Sequence, residues 1–333
     1  MGLVAQMNSL RVKANAFSLK LLAIELCVDK VKSMSAPEEF QLKEQVRDYW
    51  NQQSCDTHAA RSSKFSKDYF EEIESYRYRD QSVIHAFAQF TRYHGKKVLE
   101  VGFGAGTDFI QWLRAGARVS GIDLTQEGLD NLTHRIEVYG LPLPETIRVA
   151  DAENLPFESD VFDLGYSFGV LHHSPDTPKA VRELVRVVRP GGELKIMLYN
   201  RFSICTINAW VRHALLRGKP WKTLKWALWN HVESVGTKAY TIRELCEMLE
   251  PMGLGNIQIQ TEMTSADYLA SSAFPPLNIF YKLCLRMAGY RPGWKLADYH
   301  PEKRRSEPPP VDSVQVTGNP LGWFHCISAR KAE

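Results

Sequence analysis

The 333-residue chain is 44% hydrophobic and 24% charged, the balance of an ordinary globular protein, which excludes disordered and fibrous classes. Its 41 Lys and Arg against 38 Asp and Glu leave a formal charge of +3, too small for whole-surface attraction to nucleic acid, so no nucleic-acid partner is expected. The six cysteines, at 27, 55, 205, 246, 284 and 326, show neither CxxC nor zinc-ligand spacing, so no metal is expected and a reducing, cytoplasmic setting fits.

Leu19 to Val28 is a short apolar stretch broken by Glu25, too short to span a bilayer, and Gln6 stands where myristoylation after Met1-Gly2 requires Ser or Thr. The chain is therefore expected to be soluble. Residues 1–90 lack β-rich runs, and Tyr69, Phe70, Ile73 and Tyr76 fall at helical spacing, which predicts a helical N-terminal extension. From Lys97 apolar runs alternate with helical stretches, the pattern of a parallel sheet with crossover helices. Strands are expected at 98–101, 119–122, 147–150, 162–167, 194–198 and 257–259, with Trp323 to Ala329 as a closing edge strand. Between them Thr125 can cap a helix that Gly140 ends, and Thr177-Pro178 opens another with Val181, Leu184, Val185 and Val188 on one side. The sum is an α/β, Rossmann-like, doubly wound and mostly parallel seven-stranded sheet. Its core spans 91–262, with an insert at about 200–240; residues 263–333 add a second insert, ending in the Pro-rich loop at 308–310, and the last strand.

After the first strand comes Glu100-Val101-Gly102-Phe103-Gly104-Ala105-Gly106-Thr107. A glycine-rich turn opening a helix lets a ligand approach bare backbone N–H groups beside the positive end of the helix. Thr107 occupies the place of the third glycine in GxGxxG, so the nicotinamide-type fingerprint is not met. Asp123 ends the second strand, where a carboxylate can accept both hydroxyls of a ribose, and Asp151 follows the third, where an adenine edge would lie. As solitary residues these would pass for turn glycines and solvated acids; as an ordered set they point to an adenosyl group.

This set resembles the class I SAM-dependent methyltransferases, in the broad methyltransferase type 11 and ubiquinone-pathway-like group. The resemblance rests on VLEVGFGAGT at 98–107, GID at 121–123, ADAENLPF at 150–157, FDL at 162–164 and RVVRPGG at 186–192, and covers roughly 95–200. It implies S-adenosylmethionine as cofactor, S-adenosylhomocysteine as product and no metal. Glu100, Gly102, Gly104 and Gly106 would shape the pocket for the methionine part, Asp123 would hold the ribose, Asp151 the adenine amino group and the Ala152 backbone a ring nitrogen. Phe168 would lie near the methionine end, and Thr107, Asp108, Leu124 and Glu153 border the same site. Phe103 departs from the pattern, where a small residue or Cys is more usual, but leaves the backbone path intact.

Methyl transfer needs an aligned nucleophile and, where the acceptor atom carries a proton, a base. His172 and His173, after the fourth strand at the mouth of the sheet, are the catalytic candidates; as a bland alternative they cap the following turn. Tyr199, Asn200 and Arg201 leave the fifth strand on the same rim, Lys238 and Tyr240 return to it, and Arg77 covers it from the N-terminal side; these six are the candidate acceptor contacts. The first insert is basic and aromatic, with Trp210, Trp221, Trp226 and Trp229 among seven Lys and Arg and one acid, Glu233. Such a segment reads first as a packed lid with a solvated face, and more sharply as a membrane-surface contact, an anionic-acceptor site or an RNA platform. A small-molecule acceptor and a homodimer are the expected partners. The rival assignments are an RNA-modifying methyltransferase, a non-catalytic subunit of the same fold, and a serine hydrolase using Ser167 within Gly165-Tyr166-Ser167-Phe168-Gly169.

Overall fold

The computed structural model describes residues 34–265, 267 and 314–333. The stretch Leu19–Val28 and the Pro-rich loop at 308–310 lie outside the described residues, as does most of the second insert. The chain divides into two compact units, Met1–Gln41 and Leu42–Glu333, and the sheet belongs to the second.

The β-rich runs become β1 (Lys97–Val101), β2 (Arg118–Asp123), β3 (Thr146–Val149), β4 (Phe162–Phe168), β5 (Val188–Tyr199), β6 (Leu254–Glu262), β7 (Gln315–Gly318) and β8 (Phe324–Lys331). They form one sheet in the order β3-β2-β1-β4-β5-β8-β6-β7. β1 to β5 run parallel, β8 is antiparallel to both β5 and β6, and β7 pairs parallel with β6. Two expectations are corrected here. The sheet has eight strands rather than seven, and the C-terminal strand is interior rather than an edge. Phe324, His325, Cys326 and Ile327 are all buried in sequence, the mark of a strand covered on both faces, while the short, exposed β7 takes the edge and gives almost no apolar signal.

Nine helices are described: α1 (Ala36–Gln52), α2 (Lys67–Asp80), α3 (Val83–Ala88), α4 (Phe109–Arg114), α5 (Gln126–Tyr139), α6 (Thr177–Val187), α7 (Ile204–His213), α8 (Leu224–His231) and α9 (Ile242–Leu249). Their ends follow local chemistry. The Thr125 hydroxyl accepts from Gly128 N–H to start α5, and Gly140, at φ 58°, stops it. Thr241 and Glu244 form a reciprocal capping box on α9.

Alternation along the strands separates two apolar layers. Val98, Leu164, Tyr166, Phe168 and Met197 face Ile84, Trp112 and Leu132 of α3, α4 and α5. Leu99, Val101, Leu194, Ile196 and Leu198 face Val181, Leu184 and Leu245 of α6 and α9. Helices on both faces of a mainly parallel sheet leave one place where neighbouring connections diverge, at the carboxyl ends of β1 and β4, and ligands bind at such a point. Among the described residues no helix is long and apolar enough to cross a membrane.

Candidate functional site

A cleft of about 900 Å³ opens at that point. The carboxyl ends of five parallel strands supply its floor: Val101–Ala105 after β1, Ile122–Thr125 after β2, Ala150–Ala152 after β3, Phe168–Leu171 after β4, and Met197 and Tyr199 on β5. Trp50, Cys55, Tyr69 and Arg77 of the helical N-terminal region and Trp323 and Phe324 at the start of β8 complete the walls.

One half of the cleft is polar and built on bare main chain. Gly102 and Gly104 have φ of 81° and 50°, a region that side chains disfavour. They serve different purposes. A Cβ on Gly102 would meet the Val170 side chain at 2.3 Å, so this glycine permits close packing; a Cβ on Gly104 would meet only Cys55, at 3.7 Å, so its bareness opens the cleft. Gly106, off the wall, leaves room for Leu132. Asp123 fixes the loop: its Oδ2 accepts from Gly104 N–H at 2.8 Å and its Oδ1 from the Thr125 N–H and hydroxyl at 2.9 and 2.7 Å. Burial raises the Asp123 pKa, and these hydrogen bonds oppose the shift. Asp151, a third exposed, stands beside Leu124 and Ala152 on the wall, with Lys43 Nζ at 2.6 Å. Carboxylate acceptors near a bare main-chain loop, flanked by Leu124, Ala152 and Leu171, are the polar and apolar surfaces an adenosyl group requires, so S-adenosylmethionine fits the residues present.

Several expected cofactor residues stand behind this wall. Glu100 is buried and accepts from Trp112 Nε1 at 2.9 Å. Asp108 receives Arg77 through Nε at 3.0 Å and Nη2 at 2.8 Å, plus the hydroxyls of Tyr78 and Tyr166. Burial, reinforced by the Asp108 charge, pushes the Glu100 pKa well up; burial acts the same way on Asp108 but Arg77 outweighs it and holds that carboxyl low. Glu153 is clamped by Lys43 at 2.9 Å and by Asp176 N–H, and also accepts from the Ser174 hydroxyl. Arg135, fully buried on α5 and unforeseen in the sequence, pins the loop from below through Ala105 O at 3.0 Å and Thr107 Oγ1 at 2.7 Å.

The other half is aromatic with one polar cluster. Phe168, Met197, Tyr199, Trp323 and Phe324 line it, with Tyr199 stacked on Trp323 at 4.0 Å. Tyr199 donates its hydroxyl to Glu233 at 2.9 Å, and His173 Nε2 lies 3.2 Å from the same carboxylate. His173 Nδ1 is 3.0 Å from Ser234 Oγ and 3.1 Å from Thr237 Oγ1, and the Trp50 ring meets the imidazole edge-on. His173 Nε2 faces Glu233 at 3.2 Å without a hydrogen bond among the described residues, so the two side chains are neighbours rather than a bonded pair. His172 is fully buried, packs at a tilt against Tyr199 with ring centroids 3.8 Å apart, and has its pKa pushed well down by burial and by the neighbouring His173 and Lys238.

The cleft thus brings Gly102, Phe103, Gly104, Thr107, Asp123, Leu124, Asp151, Ala152, Phe168, His173, Tyr199 and Arg77 to one wall. It leaves out His172 and four acceptor candidates. Asn200 donates to Pro320 O and Gly322 O, both at 2.8 Å, Arg201 binds Ala239 O and Glu244, Lys238 binds Ser174 O at 2.6 Å, and Tyr240 N–H bonds Tyr199 O at 2.8 Å. These four tie the insert to the sheet. Glu233 was the residue missed; its one signal was being the sole acid in a basic segment. The hydrolase assignment is overturned: Ser167 lies within β4, is 1% exposed, and donates to Val101 O at 2.8 Å, so it has no strand-to-helix turn and no access to the cleft.

Residues 99–196 match the family described as Methyltransferase domain. Methyltransferase GfsG of Streptomyces halstedii is 38% identical over 104 residues, 31% of this chain and 37% of that protein. The phthiotriol/phenolphthiotriol dimycocerosates methyltransferase of Mycobacterium leprae is 36% identical over 115 residues, 34% of this chain and 41% of that protein. The chain spans about two fifths of the length of these curated relatives. Among solved structures, magnesium protoporphyrin IX methyltransferase from Synechocystis shares the fold, with a TM-score of 0.51 and 14% identity over 87% of this chain and 100% of that one.

Proposed function

With residues 99–196 belonging to the class I SAM-dependent methyltransferases, we propose that the whole chain methylates a small, largely apolar acceptor at an atom that carries a proton. The observation that carries this is a single cleft with bare glycine backbone and two carboxylates at one end and the aromatic wall with Glu233 and His173 at the other. S-adenosylmethionine, when bound, supplies a methyl carbon made electrophilic by its sulfonium. The contacts proposed for it are the main chain at 102–105, Asp123 at the ribose, Asp151 and the Ala152 backbone at the adenine, and Phe103, Leu124 and Phe168 as apolar sides.

With S-adenosylmethionine held along residues 102–105, its methyl would be presented to the acceptor lone pair, and the methyl–sulfur bonding electrons would leave with sulfur. Glu233, held by the Tyr199 hydroxyl, beside His173 and about a third exposed, takes the proton released by the acceptor atom. His173 packs beside that carboxylate and borders the approach to it. Trp323, Phe324 and Tyr199 exclude water and orient the apolar body. The acceptor class is supported by the mycobacterial relative, whose name gives phthiotriol and phenolphthiotriol dimycocerosates as its acceptors.

The test is incubation of the full chain and methyl-labelled S-adenosylmethionine with a metabolite extract, followed by mass spectrometry. Label is expected in an apolar metabolite bearing a hydroxyl or amine. Label appearing only in RNA or protein, in a preparation that binds S-adenosylhomocysteine by calorimetry, would overturn the acceptor assignment; absence of that binding would overturn the cofactor site itself.

A further inference from the structure

Methyl transfer makes no use of the hairpin formed by α7 and α8. From Arg201 to Val232 there is no Asp or Glu, against Arg201, Arg212, Arg217, Lys219, Lys222 and Lys225. The hairpin consumes most of its aromatic residues in its own packing: Trp210 Nε1 donates to Lys222 O at 2.5 Å, Trp226 meets His231 edge-on, and Lys238 lies over Trp229. Its tip does not follow suit. Every residue from 215 to 221 is exposed, and Leu215, Leu216 and Trp221 present 44%, 67% and 69% of their surface to solvent. Leu215 and Leu216 stand on a short 3₁₀ turn, Gly218 reverses the chain at φ 68°, and Trp221 follows, so the three lie on one projecting bend.

The cations divide in the same way. Arg201 and Lys225, at the base, meet Glu244, whereas Arg212, Arg217, Lys219 and Lys222, at and beside the tip, have no ion-pair partner among the described residues. Packed lids solvate their charges and bury their large apolar groups; here both are exposed together. Three exposed apolar side chains on one bend, with Arg212, Arg217 and Lys219 exposed at and beside it, match the boundary of an anionic bilayer, where the ring and alkyl groups enter the headgroup region and the cations meet lipid phosphates.

We propose that the bend at 214–222 docks the protein on an anionic phospholipid surface. A lipid surface satisfies the apolar groups and the cations at once, whereas RNA would engage the cations and Trp221 but leave Leu215 and Leu216 in water.

The experiment is co-sedimentation of the full chain with vesicles of phosphatidylcholine alone and of phosphatidylcholine with one third phosphatidylglycerol. Binding is expected only to the second and should weaken with added salt. About 1 kcal/mol per surface cation corresponds to roughly a fivefold change in partition, so Arg217→Gln with Lys219→Gln should cost about 25-fold. Leu216→Ser with Trp221→Ser should remove the part of the binding that survives salt. S-adenosylhomocysteine affinity, unaltered in both variants, shows that they are folded and keeps this outcome separate from the assignment of the cleft. No binding to the anionic vesicles, equal binding by the wild type and both variants, or tighter binding of RNA abolished by the same changes would each overturn the proposal.

Discussion

The two halves of the cleft are assembled in opposite ways. The half proposed for the adenosyl group comes from consecutive strand ends, Val101 to Ala105, Asp123 and Asp151, each a short step along the chain from the strand that carries it. The half proposed for the acceptor gathers Trp50, His173, Tyr199, Glu233 and Trp323, which stand far apart in the sequence. A cofactor common to many enzymes can be held by a fixed local pattern; an acceptor peculiar to one enzyme is enclosed by whatever the inserts and termini bring over the rim. Substitutions in the two halves should therefore separate binding of S-adenosylmethionine from turnover.

Glu233→Gln should have the largest effect. It removes the carboxylate while keeping shape and the Tyr199 contact, and loss of a proton acceptor lowers kcat by about 10²- to 10⁴-fold. Affinity for S-adenosylhomocysteine, measured by calorimetry, should not change. An unaltered kcat would show that the acceptor half merely holds its ligand. Asp123→Ala should come next and invert the pattern: two charge-assisted hydrogen bonds to a ribose, at about 1.5–3 kcal/mol each, predict cofactor binding weakened by roughly 100-fold or more. Because Asp123 also ties Gly104 to Thr125, the thermal midpoint of the variant must be recorded alongside. Binding unaffected by the change would break the division between the halves.

The same contrast explains what could be read in advance. The parallel strands β1 to β5, the glycine loop after β1 and the positions of Asp123 and Asp151 at the ends of β2 and β3 follow from spacing, since strand, turn and acid are neighbours in sequence as well as in space. Glu233 could not be placed this way, because only the packing of the insert over β5 sets it against His173 and Tyr199. The reverse also held. Glu100, Asp108 and Glu153 sit at the right distances from the loop along the chain, but strand alternation and the Arg77 and Lys43 ion pairs turn them behind the wall. Asn200 and Arg201 emerge on the expected rim yet spend their hydrogen bonds fastening the insert.

Glu100 offers a test of that buried layer through pH. Its folded pKa is raised, so the stability it permits is full below the unfolded value of about 4.3 and declines as pH rises towards the folded pKa. Glu100→Gln, still able to accept from Trp112, has no proton to lose. Its stability should equal that of the parent near about pH 4 and exceed it by up to about 1.4 kcal/mol for each further pH unit within that window, read as thermal midpoints across pH. A difference independent of pH would mean that Glu100 is ionised behind the loop, and the separation between wall and support would fail there.

Ser167→Ala should do least. Its hydroxyl bonds to the Val101 carbonyl at the strand end that begins the glycine loop, so the change removes one buried hydrogen bond, worth about 1 kcal/mol of stability. Neither half of the cleft includes Ser167, and both kcat and S-adenosylhomocysteine affinity should stay within about twofold of the parent, which corresponds to roughly 0.4 kcal/mol. A fluorophosphonate probe should label neither protein. A larger fall in cofactor affinity would show that the β1–β4 pairing transmits strain into the loop at Gly102, and that the adenosyl half depends on its second layer as strongly as the acceptor half depends on the insert.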